Sequence, residues 1–125
     1  YQINASGIDN VPDSHQQKYK EYVANIDWQA KTTEAHEQIW QFHLELEALG
    51  VKHIFFNGNN DFGAIKKKKD WGSSYILPYD SKGTFNSIVS NRCYTVSPTS
   101  YHYGSDGHRI WAQYMTKYIV DNQLV

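Results

Sequence analysis

Residues 32–56 read TTEAHEQIWQFHLELEALGVKHIFF, and this stretch decides the fold class. Thr32 or Thr33 can cap a helix, with Glu34 and Glu37 in its electropositive first turn. Ala35, Ile39, Phe42, Leu46 and Leu49 recur at helical spacing and form its apolar stripe, flanked by Trp40 and His43. Gly50 stands where a left-handed C-terminal cap belongs. Val51 to Phe56 follows at once, short, apolar and rich in β-formers. A helix, a glycine and then a buried strand make the αβ half of a parallel α/β unit.

Upstream, Gln29 to Lys31 reads as a short break. Asp13 or Ser14 is expected to cap a first helix that runs to about Asp27, with Tyr19, Tyr22, Val23 and Ile26 on one face. Residues 1–11 read as irregular. Downstream, Asn57 to Asp61 is turn-like and Lys66 to Lys69 reads as a solvated basic run. Tyr75 to Leu77 reads as extended, Thr84 to Asn91 as a short helix, and Tyr94 to Val96 as a short strand ended by Ser97-Pro98. A closing helix starts near Ser105 or Asp106 and runs to about Gln123. Ile110, Trp111, Tyr114, Met115, Tyr118 and Ile119 form its inward face.

The 125 residues suffice for a single α/β domain. A hydrophobic share of 40% supports a packed core. The net charge of −1 carries no basic excess of the kind nucleic-acid binding needs, so no nucleic-acid partner is expected. Apolar runs such as Ile54 to Phe56 are too short to span a bilayer, so no membrane partner is expected either. Cys93 is the single cysteine, which rules out an intrachain disulfide and fits a reducing compartment such as the cytoplasm. It is expected to be buried. The chain opens on Tyr1 with no charged-then-apolar leader, as a processed chain or a part of a longer one would. Three long helices against one strong strand is an unbalanced inventory. It predicts a partial three-layer α/β/α arrangement, in which a short, mainly parallel sheet is flanked by helices. Either a second copy, as in a homodimer, or an absent N-terminal segment would complete it.

Residues 97–112, SPTSYHYGSDGHRIWA, carry the chemistry. They resemble the last block of the SGNH (GDSL-type) hydrolases, in which D-x-x-H precedes a glycine that opens a closing helix. His102 takes the histidine position and Gly107 the glycine position, and His108, Trp111 and Ala112 continue the helix. The resemblance covers about residues 30–125 and implies an SGNH/flavodoxin-like scaffold, the C-terminal half of a hydrolase domain. It implies that His102 is a general base for a serine nucleophile acting on esters, acetyl esters of carbohydrate among them. Two departures stand out. Thr99 occupies the position of the family's Asp, with Asp106 as the nearest substitute. No G-D-S nucleophile block occurs, since Gly104-Ser105-Asp106 has those letters in another order and place. The chain alone is therefore expected to be inactive. The alternative is a non-catalytic carbohydrate-binding or structural module on the same scaffold.

Gly58-Asn59-Asn60-Asp61 fits the family's G-x-N-D block, which would make Asn60 an oxyanion-hole donor. A plain Asn/Gly turn explains the same letters. His102, Asp106 and His108 form an H-x-x-x-D-x-H set that could ligate a metal, while the blander account has Asp106 capping the helix. The expectation is no metal and no cofactor. His36 and His43 share a helix face and read as packing or surface histidines. Trp40 and Trp111 read as core, and Trp71, beside Gly72 and Ser73 in a loop, is the best candidate among the tryptophans for an exposed platform that could stack on a sugar ring.

Overall fold

The computed structural model describes residues 11–124. The chain forms two compact units, Tyr1–Ala35 and His36–Val125.

In the first unit, α1 spans Asp13–Asn25 and none of its residues is buried. Neither Asp13 nor Ser14 caps it. Pro12 is the N-cap, which has no side chain that can accept the free amides. Tyr22 and Val23, read at helical spacing on one face, are exposed. The expected break at Gln29 to Lys31 is absent, because α2 spans Trp28–Ala48. Asp27 Oδ1 accepts from Ala30 N at 2.8 Å and so starts the helix earlier. Thr32 and Thr33 do not cap it, since their hydroxyls donate back to the carbonyls of Trp28 and Gln29.

In the second unit, the C-terminal end of α2 matches the sequence expectation. Gly50 has φ +67°, Val51 N donates to Leu46 O at 2.9 Å and Gly50 N to Glu47 O at 3.0 Å. This is the paired 6→1 and 5→2 closure that a left-handed residue permits. The chain then reverses into β1, Phe55–Phe56, shorter than the expected Val51 to Phe56. β1 pairs in parallel with β2, Tyr75–Ile76, in the register Phe55 to Tyr75 and Phe56 to Ile76. A 3-10 turn at Ser81–Gly83, α3 at Phe85–Ser90 and α4 at Ser105–Asp121 follow. The expected strand at Tyr94 to Val96 reduces to a single antiparallel bridge between Thr95 and Tyr103. The fold is α/β with a small parallel sheet.

Successive residues of a strand point to opposite sides. Phe55 meets Phe42, Trp71 and Tyr75, whereas Phe56 meets Trp111 of α4 at a ring separation of 4.8 Å. Phe62, Ile65, Trp71 and Tyr75 form a core cluster against which Ile39, Trp40, Phe55 and Tyr79 pack. Ile76 and Val89 are fully buried. Trp71 is therefore no exposed platform: it is 4% exposed, covered by the rings of His36, Trp40 and His43. The buried side chains of α2 are His36 and His43, whereas Phe42 and Leu49 of the expected stripe are exposed. Cys93 is partly rather than fully buried. The lysine run is not uniformly solvated, because Lys69 pairs with Glu37 at 3.0 Å and lies over the Trp40 ring. Among the described residues, no helix is long and apolar enough to cross a membrane.

Candidate functional site

Two places in the second unit gather chemically competent side chains. The first is a cleft of about 670 Å³ at the N-terminal edge of the parallel strands, lined by residues just before β1, just before β2 and near the C-terminus of α4. His43 and Glu47 reach it from α2, one turn apart on the same face. The reversal at Gly50 returns His53 beside them, with His43 Nδ1 to His53 Nε2 at 2.8 Å. His53 Nδ1 lies 2.8 Å from the Val51 carbonyl oxygen. A carbonyl only accepts, so His53 carries its proton on Nδ1 and presents Nε2 as a lone pair. In the neutral pair, His43 Nδ1–H donates to it. Burial, and after it the neighbouring His53, lowers the pKa of His43. The donor atoms of His43, Glu47 and His53 all lie within 4.8 Å of one another. Among the described residues, this is the group of three or more His, Cys, Asp or Glu side chains close enough to hold a metal ion.

The second place is the segment preceding α4. His102 lies there, exposed, two residues before the helix N-cap Gly104. Its carbonyl accepts from Val96 N at 2.9 Å and its amide donates to Ser100 Oγ. Among the described residues, no hydrogen bond or ion pair engages its ring. The Thr99 hydroxyl lies 3.5 Å from Ser97 Oγ. Asp106 does not cap α4, since Gly104 is the N-cap and no side chain bonds there. It pairs with Arg109 at 2.8 Å on the exposed first turn. His108 is exposed, and His102, Asp106 and His108 are not gathered into a metal-holding group.

Gly107 is buried because nothing larger fits there: a Cβ would come within 2.5 Å of Tyr103 Cβ and 3.1 Å of Val89 Cγ1. Tyr103 in turn donates its hydroxyl to Asn86 Oδ1 at 2.7 Å. The α3 segment is tied to the far end of β1, where Phe85 N donates to Asn57 O and Asn86 N to Gly58 O. The segment holding His102 is thus linked, through Tyr103 and Asn86, to the loop leaving the C-terminal edge of β1.

Asn60 is exposed. The buried asparagine of that loop is Asn57, which accepts from Tyr75 Oη at 2.7 Å and donates to Pro78 O at 3.1 Å. Its position directly after the Phe55–Phe56 pair was the available sequence signal. Burial pushes the Tyr75 phenol up to about 12.

Neither models of protein families, nor curated protein sequences, nor solved structures give a match to this chain.

Proposed function

We propose that the chain is the C-terminal part of an SGNH-like α/β/α hydrolase scaffold, with His102 as the general base of the parent domain and no hydrolase activity in this chain alone. The observation that carries this is the linkage from β1 through Asn57, Gly58 and Asn86 to Tyr103, the neighbour of His102. It ties the segment that carries His102 to the loop leaving the C-terminal edge of the parallel pair, and open α/β sheets bind ligands at that edge. The opposed packing of Phe55 on Phe42 and of Phe56 on Trp111 supports the layered arrangement. The close approach of Gly107 to Tyr103 supports the match to the family's closing-helix glycine.

Inactivity follows from the donor inventory. No G-D-S block is present, and Thr99 faces Ser97 rather than acting as a carboxylate partner. A hydroxyl cannot stabilise imidazolium as a carboxylate does. The nucleophile and the oxyanion donors would come from a preceding segment. Hydrolysis of a short-chain acyl ester tests this. The chain alone should give background rates, and a longer chain carrying an upstream G-D-S block should turn over the ester only while His102 is intact. Turnover by the longer chain that survives His102→Ala would refute the assignment.

A second reading is favoured by Tyr94 and Tyr101, which are 97% and 91% exposed within the same segment. Exposed phenol rings suit stacking on sugar faces. On this reading, the chain binds carbohydrate without chemistry. Binding of an acetylated oligosaccharide that weakens in Tyr101→Ala but not in His102→Ala would favour it over the first.

A further inference from the structure

We propose that His43, Glu47 and His53 form a binding site for a divalent first-row transition-metal ion of the zinc class, in the cleft at the N-terminal edge of the sheet. This site is separate from His102, which belongs to the segment before α4.

The donor set is two imidazoles and one carboxylate, the combination used by zinc sites that keep a position open and by related first-row metal sites. Its preparation goes beyond proximity. His53 Nδ1–H is held by the Val51 carbonyl, so Nε2 is aimed at the cluster as a lone pair. Metal-bound imidazoles are oriented by such a bond on their other nitrogen. His43 is 7% exposed, clamped between Trp40 and Trp71.

The two ring nitrogens now lie 2.8 Å apart. Metal–nitrogen bonds of about 2.0–2.1 Å set ligand nitrogens about 2.9 Å apart at a right angle and about 3.3 Å apart at the tetrahedral angle. An ion bound by both nitrogens lies off the line between them, so the rings turn toward it while the nitrogens separate by a few tenths of an ångström. His43 moves its proton from Nδ1 to Nε2 and offers Nδ1, and no net proton is lost from the pair. Glu47, exposed on α2, supplies an oxygen from one turn further along. All three side chains line the cleft, so the remaining coordination positions face its solvent. Asp70 also lines the cleft, but its Oδ1 already accepts from Gly72 N.

The test is titration of the tag-free, chelator-washed chain with zinc by calorimetry, and with cobalt by visible absorption. The expected result is one saturable site per chain, a rise in Tm on zinc addition, and cobalt bands of a four- or five-coordinate nitrogen–oxygen site. Glu47→Gln, at an exposed position that folding does not need, should weaken zinc by at least about tenfold. His53→Ala should abolish the site. The double variant His102→Ala/His108→Ala should bind zinc unchanged. Absence of saturable binding would overturn the proposal, as would zinc affinity that follows His102 and His108 while ignoring Glu47 and His53. His53→Ala is read only if its near-ultraviolet circular dichroism matches the parent, and Glu47→Gln decides the matter otherwise.

Discussion

Tyr79 presents its hydroxyl to Nε2 of His36 at 2.9 Å, and that hydroxyl is already full. It accepts from Trp71 Nε1 at 2.9 Å and from the Lys69 amide at 2.6 Å. A phenol has two lone pairs and one proton. The two N–H donors occupy the lone pairs. The proton therefore goes to His36 Nε2, a better acceptor position than the Lys69 carbonyl at 3.4 Å. His36 is thus the neutral tautomer with its proton on Nδ1. Tyr79→Phe leaves buried Trp71 and His36 groups unsatisfied, at about 1–3 kcal/mol each. Urea denaturation of Tyr79→Phe should show a loss of about 3 kcal/mol. A loss below about 0.5 kcal/mol would mean that water replaces the hydroxyl.

The burial of His36 makes stability sensitive to acid. Burial, and then the Lys69 charge, lower the pKa of His36, against a smaller opposing effect of Glu37. A histidine with a depressed folded-state pKa binds its proton more readily when unfolded. Its contribution is complete above the unfolded value near 6.5 and is lost as pH falls through the depressed folded value. Melts between neutral pH and about pH 5 should show falling Tm, with a flatter slope in His36→Gln. An unchanged slope in that variant would remove His36 as a source.

Gly107→Ala should destabilise the chain by about 1–3 kcal/mol, the usual range for forcing a methyl group into filled space. The new Cβ meets the Tyr103 Cβ and the Val89 methyl, so α4 and the His102 segment must separate. The Tyr103 to Asn86 bond should be lost with them. Combining Gly107→Ala with Tyr103→Gly, which removes the Cβ that the new methyl meets, should cost less than the two single changes added together, and chemical denaturation of the three variants measures it.

The Tyr75 phenol, pushed up by burial, should ionise near 12. Its hydroxyl is buried and donates to Asn57 Oδ1. Ultraviolet titration of tyrosinate should lose the component near 12 in Tyr75→Phe. If that component persists, it belongs to another phenol.

The chain should self-associate. A two-stranded sheet leaves strand edges unpaired, and Phe56 of β1 and Phe42, which packs on Phe55, are exposed. Sedimentation at micromolar concentration is expected to give a dimer. A clean 14.5 kDa species at all concentrations would show that the chain needs no second copy.

The Gly50 reversal was legible in the sequence because its cause is local: one residue must enter the left-handed region, and glycine does so without a steric penalty. The burial of His36 and His43 was not legible. Hydropathy counts imidazole as polar, and the groups that satisfy these rings, Tyr79 and His53, are 43 and 10 residues away. Trp71 misled for the same reason. Its Gly and Ser neighbours describe a loop, but burial there is decided by α2 residues such as Trp40, whose ring meets Trp71 at 4.9 Å. His102 before the closing helix was legible from the glycine spacing, whereas the metal-ligating geometry was visible only once the chain had turned back at Gly50.

The bridge between Thr95 and Tyr103, with Val96 N on the His102 carbonyl, closes the segment at its neck. His102 stands at that neck, and residues 97–101 form the tip beyond it. Residues inserted into the tip would leave the Thr95–Tyr103 bridge and the bond from Val96 N to the His102 carbonyl in place. The segment can therefore serve as a grafting position, where added residues ride above a backbone closed from below.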